Sequence, residues 1–113
     1  MDNLPVGLVR WQRALARRCI QRLIITRGAK PTLCVSAAGY LNVPALKVRP
    51  LDTVGAGDAF AGAFAAHLAG GSDLISAIRY ANCAGALATL KAGAQEAIPD
   101  RVRTEKAFRH LAR

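Results

Sequence analysis

Asp52-Thr53-Val54-Gly55-Ala56-Gly57-Asp58-Ala59-Phe60 is the stretch on which the reading of this chain turns. Three small residues, Gly55, Ala56 and Gly57, lead into a long run of helical texture, and Asp58 falls in its first turn. Glycine permits a tight turn and lets backbone amides come close to a ligand. The unpaired amides of Ala56, Gly57 and Asp58 at a helix N-terminus, together with the helix macrodipole, form a hole for an anion such as a phosphoryl group. A carboxylate there repels phosphate. Asp58 therefore has two readings: a base that takes a proton from an attacking hydroxyl, or a favourable first-turn acid with no chemistry. Two nucleotide-binding patterns are excluded. The third glycine of the dinucleotide fingerprint is replaced by Phe60, and no Lys-Ser or Lys-Thr pair follows as a P-loop requires.

Downstream, Phe60, Phe64 and Leu68 make an i, i+4, i+8 stripe on a helix whose other faces are mostly Ala and Gly, which predicts burial on all sides. Gly70-Gly71 ends that helix, and Ser72 or Asp73 caps the next. This next helix carries Leu74, Ile78, Ala81, Gly85 and Ala88 on one face, and Ala81–Ala88 is small enough for another backbone or a flat ligand to approach closely. Gly93 is a natural stop. Pro99-Asp100 opens a last helix with Val102, Phe108 and Leu111 inward.

Upstream, Pro44–Pro50 reads as extended, because its two prolines forbid a helix. Thr32–Ser36 and Tyr40–Val43 flank Ala37-Ala38-Gly39 as a hairpin. Leu23-Ile24-Ile25-Thr26 is a short apolar run that suits a buried strand, closed by a turn over residues 27–31. Residues 6–20 read as a helix with Leu8, Trp11, Leu15 and Cys19 at helical spacing and a second stripe of Arg10, Arg13 and Arg17. The order is α/β, with few strands for a sheet covered on both faces.

Composition narrows the function classes. Hydrophobic residues make up 52% of the 113 and charged residues 20%, which excludes a disordered chain. The longest uncharged runs, Pro31–Leu46 and Ala59–Ser72, hold 16 and 14 residues and are broken by Pro or Gly, short of a membrane span. Sixteen Lys and Arg against seven Asp and Glu give +9, which fits either an anionic partner or solvated arginine faces. Cys19, Cys34 and Cys83 are far apart and near neither histidine, so neither zinc nor a disulfide framework is expected. Buried or partly buried thiols in a reducing cytoplasm fit them. His67 reads as structural, Trp11 as a core anchor, and Cys83 as a small packing residue. The stripe Arg10, Arg13, Arg17, Arg18 and Arg22 reads as surface, as do His110 and the C-terminal arginines.

Residues 52–63 closely resemble the C-terminal signature of the ribokinase-like (PfkB) carbohydrate kinases. Ile25-Thr26-Arg27-Gly28 resembles that family's nucleotide-binding turn, and residues 92–99 resemble the Gly-Ala-Gln tail of its ribose-directed members. The likeness runs from about residue 8 onward. It implies a partial kinase domain over residues 1–113, forming the C-terminal part of a three-layer α/β sandwich with a mostly parallel sheet. It implies an ATP-dependent sugar kinase acting on the 5-hydroxyl of D-ribose, with fructose as an alternative. Asp58 would be the general base, and Gly55, Ala56 and Gly57 the anion hole. Thr26, Gly28 and Asn82 would contact nucleotide, and Asp52, Val54, Ala88, Lys91, Gly93 and Ala97 would surround a monovalent cation, K⁺, largely through carbonyl oxygens. Mg²⁺ would accompany ATP.

One departure is Pro31, where the family's turn has a second glycine; proline offers no amide there. The other is that the family's Gly-Gly signature, sugar-binding residues and lid have no counterpart in the sequence, so the chain alone is expected to keep a phosphate half-site without turnover and to need an N-terminal portion or an oligomeric partner. The alternative class is a basic module for phosphate or nucleic acid using the +9 charge. Only six aromatics are present and none is interleaved with the arginines, which argues against nucleic acid.

Overall fold

The computed structural model describes residues 7–90 and 101–111, with side chains from 102 to 109 in the second stretch. The elements run α1 (Leu8–Arg17), β1 (Leu23–Arg27), β2 (Lys30–Ser36), β3 (Gly39–Val43), α2 (Ala56–Ala69), α3 (Leu74–Ala88) and α4 (Arg101–Leu111). The expected stop at Gly93 and start at Pro99-Asp100 lie outside the described residues.

Strand β2 organises the molecule. It is the middle of a three-stranded sheet of order β1-β2-β3, and both pairings are antiparallel, with Ile24 opposite Cys34 and Cys34 opposite Leu41. No two of the described strands pair in parallel. Side chains alternate across a strand, and here both faces of β2 are covered. Leu33 and Val35 pack with Leu15 of α1, with Trp11 against them. Cys34 packs on the opposite face with Val43, Phe60, Ile78 and Ala81, which brings in α2 and α3. Leu33 and Val35 are wholly buried, and each such side chain contributes about 1.5–3 kcal/mol relative to exposure.

The hairpin β2–β3 forms as its sequence predicts, with Ser36 opposite Gly39. Strand β1 departs from expectation. Its Leu23-Ile24-Ile25 run is only partly buried and Thr26 is exposed, because β1 is an edge strand whose run is covered on fewer sides than a central strand's would be. Helix α1 is shorter than 6–20. It lays Leu8, Trp11 and Leu15 on the sheet while Arg10, Arg13, Arg17, Arg18 and Arg22 are exposed. Cys19 is exposed too, rather than buried.

Helices α2 and α3 pack against each other. A Cβ added to Gly85 of α3 would lie 3.3 Å from the Ala56 carbonyl and 3.6 Å from the Phe60 Cβ, so the close approach expected along Ala81–Ala88 is realised against the first turns of α2. The predicted all-round burial of α2 is not found among the described residues. Only Ala59 and Phe60 are buried, and Leu68 is 41% exposed. In α4 the inward residue is Thr104, at 2% exposure, while Val102 is 74% exposed, contrary to expectation. Two positions apart on a helix is about 200°, so Thr104 and Val102 cannot share a face. Phe108, one turn on from Thr104, packs edge-on to His67 and Tyr80. The side chains of His110 and Leu111 are outside those described.

Candidate nucleotide site

The start of α2 is built by the loop before it. The Asp52 carboxylate accepts a hydrogen bond from the Val54 amide at 3.0 Å, a local Asx turn that Asp forms readily. The Ala56 amide donates to the Thr53 carbonyl at 3.2 Å, and the Ala59 amide to the Gly55 carbonyl at 3.0 Å. Gly55 is the N-cap, at φ 85° and ψ −4°, and no side chain caps the helix. Only glycine takes that backbone conformation without strain.

These bonds revise the expected anion hole. Ala56 spends its amide on Thr53, so the donors left without an intrahelical acceptor are those of Gly57 and Asp58, as at any helix start. They stand at the positive end of the macrodipole, equivalent to roughly +0.5 charge.

A cavity of about 360 Å³ opens beside this turn, and Ala56 and Gly57 line it together with Thr26, Gly28 and Asn82. Residues predicted from three separate stretches therefore meet in one space. The segment between β3 and α2 supplies a further wall through Ala45, Leu46 and Val48. Thr32 also lines the cavity; nothing in the sequence marked it, because a threonine in a strand is ordinary. Pro31, beside it, is exposed, and its carbonyl accepts from the Arg27 Nε at 2.8 Å.

Asn82 is not poised as expected. It is 6% exposed. Its Nδ2 donates to the Val43 carbonyl at 3.2 Å and the Pro44 carbonyl at 3.0 Å, and its Oδ1 accepts from the Thr32 hydroxyl at 2.5 Å. Both amide hydrogens are used, which leaves no donor for a ligand.

Asp58 is exposed and lies on another side of the turn. It lines a cleft of about 680 Å³ with Gly62, Ala66, His67, Tyr80 and Thr104. His67 stacks on Tyr80 with ring centroids 4.2 Å apart, which gives it the packing role the sequence suggested. Of the expected cation residues, Asp52, Val54 and Ala88 lie near one seam, where the amides of Leu51 and Asp52 donate to the Thr89 carbonyl at 2.6 and 3.0 Å. Lys91, Gly93 and Ala97 lie outside the described residues. The thiols of Cys34 and Cys83 are pushed up by burial, the latter to about 11, with Arg22 partly offsetting the shift of Cys34. Neither is a thiolate at neutral pH, so both act in packing.

Comparison with known proteins identifies the family. The pattern of the pfkB family carbohydrate kinases matches residues 7–101. Ribokinase of Bacillus subtilis (strain 168) is 39% identical over 85 residues, which cover 75% of this chain and 29% of that protein. The crystal structure of ribokinase from Thermotoga maritima superposes with a TM-score of 0.84 at 30% identity, over 94% of this chain and 35% of the other. Fructokinase from Vibrio cholerae O395, crystallised with fructose, ADP and calcium ion, superposes with a TM-score of 0.79 at 32% identity, over 88% of this chain and 34% of the other. The chain thus spans about a third of the length of these relatives, and the fold is the α/β ribokinase-like one its sequence implied. Over residues 7–101, a span that holds the glycine-led helix start, the chain belongs to the pfkB family of carbohydrate kinases.

Proposed function

We propose that the chain carries the nucleotide site and the general base of an ATP-dependent sugar kinase that phosphorylates D-ribose at its 5-hydroxyl. The observation that carries this reading is the cavity where Thr26, Gly28, Ala56 and Gly57 converge beside an uncapped helix N-terminus. On this reading the Asp58 carboxylate takes the proton from the sugar hydroxyl as its oxygen attacks the γ-phosphorus in line. The amides of Gly57 and Asp58 stabilise charge growing on the transferred group. Gly55 acts through its backbone conformation, which sets the direction of those amides. Ala56 contributes to the wall rather than donating.

The likeness to ribokinases and the residues resembling the Gly-Ala-Gln tail favour ribose; the likeness to a fructokinase makes fructose the second candidate. Mg²⁺ would enter with ATP and supply charge neutralisation between the phosphates. A monovalent cation such as K⁺ would be held at the seam of Asp52, Val54 and Ala88, largely through backbone carbonyl oxygens of the kind a hard cation takes, with Lys91, Gly93 and Ala97 completing it, as the family resemblance implies. A cytoplasmic setting suits an ATP consumer with three free thiols. Among the described residues no helix is long and apolar enough to cross a membrane.

Because the chain spans about a third of its relatives, nucleotide binding is the appropriate readout for it, and turnover with ribose is not expected of the chain alone. A Cβ at Gly57 meets nothing within 4 Å, so Gly57→Asp preserves the fold while setting a carboxylate where phosphate would sit. Titration with ADP should show binding by the wild type and about tenfold or greater weakening in the variant, the size expected of one like charge close by. Equal affinity in the two would overturn the reading, whereas ATP consumption with ribose by the 113-residue chain that Asp58→Asn abolishes would overturn only the expectation that the chain alone does not turn over.

A further inference from the structure

Helix α3 and its C-cap residue Thr89 hold both ends of the segment that walls the cavity. At one end the Asn82 Nδ2 takes the Val43 and Pro44 carbonyls. At the other the Thr89 carbonyl takes the Leu51 and Asp52 amides. Between these anchors, residues 44–50 have no regular secondary structure, and their apolar side chains Ala45, Leu46 and Val48 face the cavity. A segment without a hydrogen-bonded ladder of its own keeps its shape only through such anchors.

The orientation of the Asn82 amide is fixed by its neighbours. Two carbonyls face one end of it, and only the nitrogen end can donate to both. The oxygen end is then left to the Thr32 hydroxyl, which is itself buried in β2. Thr32, Asn82 and the two carbonyls form a closed set in which each member fixes the next, and such networks couple their parts beyond pairwise sums.

We propose that Thr32 and Asn82 are a pair of positioning residues for nucleotide recognition: Thr32 orients the Asn82 amide, and the amide holds the 44–50 wall at the spacing a flat heteroaromatic ring requires. The inference rests on the nucleotide reading of the cavity. It differs from that reading in giving Asn82 no direct contact with the nucleotide. The apolar wall makes the base end, and the helix start at Gly57 makes the anionic end. Loosening the wall therefore weakens binding of the base and spares the phosphates.

The test uses the 113-residue chain, with ADP and inorganic pyrophosphate as probes followed by calorimetry. Thr32→Val keeps the volume and deletes the hydroxyl; Thr32→Ser keeps the hydroxyl. Thr32→Val should weaken ADP about threefold to tenfold and pyrophosphate less than twofold, while Thr32→Ser should bind ADP as the wild type does. Asn82→Leu should weaken ADP at least as much, and adding Thr32→Val to it should cost little more, as coupled partners do. If Asn82→Leu unfolds, the two Thr32 variants decide the matter. A folded Thr32→Val with wild-type ADP affinity overturns the proposal. So does an equal loss for ADP and pyrophosphate, which is what general damage would give. Failure of the wild type to bind ADP is a different result, and overturns the nucleotide reading itself.

Discussion

Helices α2 and α3 pack side by side and begin in opposite ways. At α3 the Asp73 side chain accepts the Ser76 amide at 2.7 Å, the ordinary solution to an exposed helix start. At α2 the cap is Gly55 at φ 85°, and no side chain closes it. A stability-driven sequence would place Ser, Asp or Asn there. Leaving the first-turn amides of α2 unclosed costs stability, and the cost makes sense if those donors are kept for a ligand. On the proposed function the capped helix is structure and the uncapped start of α2 is the site; α1, which begins the same way at Gly7, shows that an open glycine cap alone does not make one.

The sharpest way to break this contrast is at Asp58, the acid in the first turn of α2. On the proposed function, Asp58→Asn made in an intact pfkB relative that carries residues 52–63 of this chain should lower kcat by about 10²–10⁴, the usual contribution of a general base, with little change in nucleotide affinity. A steady-state assay with ATP and ribose checks it, and wild-type kcat would return Asp58 to the role of a simple first-turn acid.

Next in size is Gly55→Ala. A Cβ at a positive φ costs about 1–2 kcal/mol, or several degrees in melting temperature for a chain this long. Because the strain falls at the helix start, ADP affinity should drop together with stability. Thermal melts with an ADP titration read both, and an unchanged affinity would uncouple the cap from the site.

Asp73→Ala is the matched control and the smallest effect. The hydrogen bonds from Ser76, backbone first and then side chain, hold the Asp73 carboxyl below the usual carboxylate range. A carboxyl depressed in the folded state stabilises at pH values above its unfolded pKa, and that stabilisation is lost as pH falls through the folded pKa. Melts should therefore show the variant less stable than wild type at neutral pH, the gap closing on acidification below about pH 4, with ADP affinity untouched throughout. Loss of ADP affinity in Asp73→Ala would erase the distinction between the two helix starts.

Much of this contrast was legible in the sequence. Gly55 to Asp58 announced a glycine-led helix start, Gly70-Gly71 its end, and Asp73 was one of two residues named as the next cap. Local rules of turn and cap chemistry suffice for these, since the determinants lie within a few residues. What depended on tertiary partners was not legible. The Leu23–Thr26 run reads as buried on its apolarity, yet its place at the sheet edge leaves it partly open. Val102 reads as inward because it is apolar, while packing against α3 selects the face that carries Thr104 and Phe108. Asn82 was marked for the cavity and does line it, but its hydrogen bonds go to Thr32, Val43 and Pro44, residues 38 to 50 positions away along the chain. No local pattern encodes such pairings.

The double hydrogen bond from Leu51 and Asp52 to the Thr89 carbonyl has a kinetic meaning. It fastens the residues leading into α2 to those leaving α3, so the two-helix unit is closed at its open end as well as at the Gly70-Gly71 turn. Opening of the chain at that end is opposed by the same bonds on both sides. In native-state amide exchange, protons of α2 and α3 should open with one common free energy, as a single cooperative unit, and the Leu51 and Asp52 amides should exchange with that unit rather than at the fast rate of a loop.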